Sequence, residues 1–313
     1  MIRETLFTLK APYRDPLEIT GFRFGKGERA CCIVGAVRGN EIQQQYVCSQ
    51  LVKALRILES KGLIAQDHEI MVVPSAGAGY SMNTGSRFWA VDHTDINRMF
   101  PGYDAGETTQ RLADGIFRQV RDYSYGVQFA SFYLPGDFVP HVRMMETGYQ
   151  STSLANLFGL PYVVIRPPRP YDTATLNYNW QLWHTNAFSV YTAATDHIDE
   201  PSARQAVDSV LRFLNRIGLV RYQCHNGYIA SVVREDELIS VFSSTGGVYH
   251  PLRAPGEEVS RGMHVAEITD PYTGETIAKI TSPADGVIFF AYHQPLVMEH
   301  AVIYKIIKQA HGF

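Results

Sequence analysis

The sequence predicts an α/β protein with a mixed, mostly parallel sheet, followed by a small all-β domain of barrel or sandwich type. Three observations carry this reading. Apolar runs alternate with helical stripes over the first two-thirds of the chain. Beyond Leu219 the helical stripes stop, and short β segments broken by glycine, proline and aspartate take over. The chain has 313 residues, of which 45% are hydrophobic and 19% charged, enough for a sizeable packed core in about two domains. The expected division is residues 1–220 and 221–313.

The elements follow in order. "ERACCIVGAV" is a continuous apolar run, as a strand buried on both faces requires. "EIQQQYVCSQLVKALRILES" is a helix, with Val47, Leu51, Leu55 and Leu58 recurring at helical spacing. "EIMVVPS" is a second strand. In "TTQRLADGIFRQV", Leu112, Ile116 and Val120 share one helix face. "YGVQFASFYL" and "PYVVIRP" read as further strands. "PSARQAVDSVLRFLNRIG" is a helix with Pro201 in its first turn, Gly218 at its end, and a stripe of Ala206, Val210, Leu214 and Ile217. Strand–helix alternation of this kind implies a sheet covered by helices. The later segments "GYIASVVRE", "GGVYHPL", "GMHVAEITDPYTGETIAKITSP", "DGVIFFAY" and "AVIYKII" carry no helical stripe.

Composition narrows the partners. The net charge is -3 and no lysine/arginine run stands out, which argues against nucleic acid and against an anionic membrane. The opening "MIRETLFTLKAPYRD" lacks the apolar stretch of a signal peptide, and no apolar run approaches the roughly 20 residues of a membrane span. A cytoplasmic location is expected. Cys31, Cys32, Cys48 and Cys224 show no zinc-knuckle spacing and read as reduced structural residues.

Two stretches carry candidate chemistry. "GAVRGNE" leaves the first strand through a glycine turn and enters the helix with Arg38 and Glu41 at its mouth. Such strand-to-helix junctions are favoured sites in α/β proteins. "SRFWAVDHTDINRMFPGYD" is dense in polar groups and aromatics. Arg87, Asn97 and Arg98 in it could converge on one anion, since arginine offers a planar fork to a carboxylate. The alternative is a surface loop with scattered ion pairs. No nucleophile elbow, P-loop or dinucleotide fingerprint is present.

"GAVRGNE" followed by "DINRMFPG" resembles the succinylglutamate desuccinylase/aspartoacylase family, a branch of the zinc carboxypeptidase superfamily. There the segments read approximately G-x-x-H-G-N-E and D-L-N-R-x-F-P-G. The resemblance covers nearly the whole chain, and "DINRMFPG" is its most specific part. It implies an α/β/α carboxypeptidase-like domain and zinc-dependent hydrolysis of the amide of an N-acyl amino acid or related small carboxylate. It also places Arg87, Asn97 and Arg98 at positions that grip the substrate carboxylate. At the zinc site it is broken. Glu41 keeps the glutamate ligand position, but Arg38 stands where the first histidine belongs, and a guanidinium offers no lone pair to a metal. Gln128 falls at the second histidine position. Tyr191 falls at the general-base position, where a phenol of pKa about 10 is ill-suited to take a proton from water.

Arg38 would put one positive charge beside Glu41, in place of the metal. At about 4 Å and an effective dielectric of 20 such a pair attracts by roughly 4 kcal/mol before desolvation. Arg38 is then either half of a structural ion pair or a third arginine of an anion pocket. His93, His141, and His197 with Glu200, are candidates for a displaced metal ligand. His264 and Glu267 have metal-like spacing but are expected on opposite faces of a strand. Two functions stay open. One is a metal-dependent deacylase with a rearranged site. The other is a catalytically degenerate relative that binds a small carboxylate without zinc.

"APGEEVSRGMHVAEI" and "SPADGVIFF" resemble the barrel-sandwich domain of biotin and lipoyl carriers. The expected hairpin tip "DPYTG" has no lysine, and Lys279 lies on the next strand, so neither biotin nor lipoate is expected. Packing over the cleft of the first domain, or assembly into a homo-oligomer, is the role the resemblance leaves.

Overall fold

A computed structural model describes residues 1–10, 15–77, 85–89 and 92–308. The chain divides into two compact units, Met1–Ser131 with Pro140–Val232, and Phe132–Val139 with Val233–Phe313.

The first unit is built on a mixed sheet. Its strands in chain order are β1 (Ile2–Leu9), β2 (Leu17–Gly25), β3 (Gly27–Ala36), β4 (Asp67–Ser75), β5 (Tyr125–Phe129), β7 (His141–Met145), β8 (Tyr162–Arg166), β9 (Asn186–Tyr191) and β10 (Ser231–Arg234). Across the sheet they run β1-β2-β4-β3-β5-β9-β7-β8-β10. The centre, β4-β3-β5-β9, is parallel, as strand–helix alternation predicts. β1 and β2 form an antiparallel hairpin that joins β4. That hairpin was not expected, because a bulge between Thr5 and Phe7 breaks its period-2 pattern.

The helices are α1 (Ile42–Ser60), α2 (Thr108–Val120), α3 (Thr152–Asn156), α4 (Leu176–Leu182) and α5 (Glu200–Arg216). α1, α2 and α5 lie where the apolar stripes put them. Val47, Leu51 and Leu55 of α1 pack with Val210 and Leu214 of α5 in one core. Leu112, Ile116 and Val120 of α2 pack with Leu176 and Trp180 of α4 in the core on the other face. The two cores take alternate residues of the central strands: Ile33 and Val127 belong to the first, Cys32 and Val34 to the second. Each fully buried aliphatic side chain of this kind contributes roughly 1.5–3 kcal/mol.

The expected strand "YGVQFASFYL" is shorter in the structure. It ends at Phe129. Phe132–Val139 instead belongs to the second unit, because β6 (Gly136–Phe138) pairs antiparallel with β16 (Gly286–Tyr292). Residues 221–232, expected in the second domain, stay with the first unit.

The second unit is antiparallel β throughout its paired strands, in a five-stranded sheet of β6, β11 (Ile239–Phe242), β13 (Glu258–Val259), β16 and β18 (Val302–Lys308) and a four-stranded sheet of β12 (Gly247–Pro251), β14 (His264–Thr269), β15 (Thr276–Thr281) and β17 (Leu296–Val297). Val265, Ile268, Ile288, Ile303, Tyr304 and Ile306 form its core. His264 and Glu267 do not face opposite ways: a bulge in β14 (His264–Thr269) brings His264 Nε2 to 3.6 Å from Glu267 Oε1. Lys279 lies on β15 (Thr276–Thr281), and Tyr272 stands exposed at the hairpin tip. Among the described residues no helix is long and apolar enough to cross a membrane.

Candidate functional site

The site begins where β3 ends. Gly35 is required there, because a Cβ would meet the Pro74 carbonyl oxygen at 2.3 Å and Cys48 Sγ at 2.9 Å. This close approach lets the chain turn directly into α1. Glu41, at the helix N-cap, folds its carboxylate back over the turn. Its Oε2 accepts the backbone N–H of Val37 at 2.8 Å and of Arg38 at 2.9 Å. Its Oε1 accepts from Arg38 Nη1 at 3.1 Å and from the Ser131 hydroxyl. Both oxygens are therefore committed to protein donors.

Arg38 is the hub. Its side chain is 4% exposed, and its Nε donates to Asp95 Oδ1 at 2.8 Å. The guanidinium thus joins two buried carboxylates. Burial by itself would lower the Arg38 pKa, but the negative charges of Glu41 and Asp95 outweigh it and raise it. Asp95 shows the converse. Burial would raise its carboxyl pKa, but the charge of Arg38 and its hydrogen bond hold it below the usual range.

Asp95 Oδ2 also receives Arg87, with Nη2 at 3.3 Å. Burial and the repulsion of Arg38 lower the Arg87 pKa against the pull of Asp95, and Arg98 adds a smaller repulsion. The three predicted arginines therefore share one electrostatic neighbourhood, but each rests on a carboxylate of its own chain. Arg98 Nη1 lies 3.7 Å from Asp172 Oδ1 and donates to the Tyr171 carbonyl at 2.8 Å. Its guanidinium lies over the Tyr171 ring at 4.5 Å. Asp172 is held in turn by both terminal nitrogens of Arg166. Asn97 turns its carbonyl oxygen inward, accepting Leu176 N–H at 3.2 Å and Gln128 Nε2 at 3.4 Å. Gln128, on β5, is buried beside it.

Tyr191 ends β9 and stacks on His141, with centroids 4.7 Å apart and an interplanar angle of 12°. Its hydroxyl donates to the Ser131 carbonyl at 3.5 Å. As arranged it is a hydrogen-bond donor and ring platform. His93 and His197 are exposed, and His197 sits beside Asp196 at 3.1 Å. Glu200 accepts from Tyr46 at 2.8 Å. Among the described residues no three His, Cys, Asp or Glu side chains gather as a metal-binding group. Arg38 and Glu41 as arranged do not suit a zinc ion: the guanidinium is a permanent cation with no lone pair to give, and both Glu41 oxygens already accept from protein donors.

Asp95 and Ser131 were missed as site residues. Asp95 opens the "DINR" motif, so a signal was present. Nothing local marks Ser131, which reaches Glu41 only through the fold.

This architecture is the fold of solved desuccinylase/aspartoacylase structures. A succinylglutamate desuccinylase/aspartoacylase from Rhodobacter sphaeroides matches with TM-score 0.79 and 18% identity, over 97% of this chain and 95% of that one. A succinylglutamate desuccinylase from a Silicibacter species matches with TM-score 0.81 and 18% identity, over 97% and 94%. The product-bound ectoine utilization protein from Ruegeria pomeroyi matches with TM-score 0.78 and 18% identity, over 97% and 94%. No family model matches the sequence, and no curated protein matches it.

Proposed function

We propose that this chain is a desuccinylase/aspartoacylase relative, in a family of hydrolases, whose cleft recognises a small carboxylate such as an N-acyl amino acid without zinc at the family position. One observation carries the reading: the Arg38 guanidinium bridges Glu41 and Asp95, while Arg87 and Arg98 act on the same neighbourhood. Arg38 holds the old ligand position together as a fixed internal cation. Arg87 and Arg98, with side chains 25% and 28% exposed, are the parts of the cluster that an incoming carboxylate can reach. Both already lie on carboxylates, so a ligand binds by sharing or displacing an internal partner. Hydrogen bonds to charged groups are worth roughly 1.5–3 kcal/mol each, enough for two arginines to orient a small acid.

The test has two arms. Untagged protein purified without chelator should hold far less than one zinc per chain. Near-stoichiometric zinc that is lost in Glu41→Ala would instead restore metal-dependent hydrolysis through a rearranged site, with His141, His93 and His197 substituted next. Calorimetry against N-acyl amino acids should give binding that Arg98→Ala weakens by about tenfold or more. Equal binding to wild type and to the Arg87→Ala, Arg98→Ala double variant would remove the two arginines from the site.

A further inference from the structure

α1 and α5 lie side by side in the first unit. Val47, Leu51 and Leu55 of one pack with Val210 and Leu214 of the other in the core. Their other faces leave a groove of about 390 Å³ between them. None of its lining residues belongs to the arginine cluster of the cleft. Small-molecule sites run from roughly 300 to 1,000 Å³, so the groove has room for a small ligand. A protein helix, about 10–12 Å across with its side chains, would rest on it rather than fill it.

The groove is apolar along its length. Ala203 is buried, Ala54 and Val207 are half-buried, and Ile57 is 45% exposed. Aliphatic surface left in water in this way is area that a ligand chain can cover.

Two acids and two cations also line it, and they differ in what they already hold. Glu200 accepts the Tyr46 hydroxyl at 2.8 Å, and Asp208 accepts the Tyr222 hydroxyl at 2.9 Å. The bond to Glu200 raises the Tyr46 pKa. Burial, and then the bond to Asp208, pushes Tyr222 up to about 12. Both phenols therefore stay donors at neutral pH, and both acids stay engaged. The cations do not match this. Arg204 lies four residues from each acid, the spacing at which ion pairs form along a helix. Among the described residues, neither its side chain nor that of Lys53 makes an ion pair or hydrogen bond.

We propose that this groove is a second binding site, for a medium-chain aliphatic carboxylate. The chain covers Ala54, Ile57, Ala203 and Val207, and the carboxylate takes Lys53 and Arg204, one from each helix. Hydrogen bonds between a carboxylate and these cations are charge-assisted on both sides. A cationic head on the same chain meets two unpaired cations instead. The site stands apart from the cleft, so it does not depend on what the cleft binds.

Calorimetry on the full chain with decanoate, kept below the concentration at which it aggregates, tests this. Wild type should bind decanoate. Hexanoate, four methylenes shorter, should bind about tenfold or more weakly. Decyltrimethylammonium, with the same chain and the opposite charge, should also bind about tenfold or more weakly than decanoate. The double variant Lys53→Gln, Arg204→Gln should lose about tenfold or more in decanoate affinity. Both side chains are exposed, so this protein should fold as wild type does. Val207→Gln, which changes the apolar lining without changing charge, should weaken decanoate as well. A wild type that does not bind decanoate overturns the proposal, as does undiminished binding by either variant. Hexanoate bound as tightly as decanoate would take the chain out of the groove. The ammonium bound as tightly as decanoate would remove Lys53 and Arg204 from recognition. Either result overturns the proposal too.

Discussion

Arg38 is the residue on which the site turns. It is buried with two carboxylates and cannot shed its charge, so removing either side leaves an uncompensated ion in a low-dielectric setting. Arg38→Ala should destabilise by about 3–5 kcal/mol, the cost of breaking a buried pair. Replacing Arg38 and Glu41 together by neutral residues of similar size should recover part of that loss. Chemical denaturation of the three proteins checks it, and an Arg38→Ala protein as stable as wild type would contradict the buried-pair account. Asp95 makes the pH dependence specific. Its pKa is lower folded than unfolded, so the folded state releases its proton first as pH rises. The stability it contributes is fully present above the ordinary carboxylate pKa of about 3.9, and it fades as pH falls toward the folded value. The stability gap between wild type and Asp95→Asn should therefore be widest near neutral pH and narrow below about pH 4. Melting curves from pH 7 to pH 3 measure the gap. A constant gap would mean that Asp95 does not titrate with folding.

Among the elements, the β3–α1 junction sets the geometry of everything above it. The helix lies close to the strand because Gly35 has no Cβ. Gly35→Ala would press a methyl against the Pro74 backbone oxygen and Cys48 Sγ. Overpacking of this kind costs about 1–3 kcal/mol, and the melting temperature should fall by several degrees at roughly 2–4 °C per kcal/mol. The same push displaces the turn that gives Glu41 its two backbone donors. Ligand binding should therefore weaken more than in a variant of equal instability made at Leu55, which packs in the core below the site. Equal weakening in the two proteins would separate the junction from the site. These elements are legible in the sequence where the pattern is local. The stripe Val47-Leu51-Leu55-Leu58 and the run Ala30-Cys31-Cys32-Ile33-Val34 each declare their element within one window. The β1–β2 hairpin and the short β7 did not, since a bulge in one and five residues in the other leave little periodicity to read.

For the whole molecule, binding must be coupled to folding. A ligand at about 100 times its Kd stabilises the folded state by about 2.7 kcal/mol. Carboxylates that occupy the cleft should thus raise the melting temperature of wild type by several degrees. They should not raise that of the Arg87→Ala, Arg98→Ala double variant. A thermal-shift series across small acids measures this directly, and identical shifts in both proteins would place the binding elsewhere.

The sequence by itself determined the α/β class, the three long helices, the change to β structure after residue 219, and the adjacency of Arg38 and Glu41, because each is written in neighbouring residues. Tertiary structure alone decided the partners. Asp95 reaches Arg38 from 57 residues away and Ser131 reaches Glu41 from 90. Arg98 turned to Asp172 and Tyr171, and Gly136–Phe138 left its neighbours to pair with Gly286–Tyr292. The physical reason is one of range. Periodicity and turn chemistry act over a few residues. A buried charge must find its counter-charge wherever packing of the chain brings one, and no local pattern records that choice.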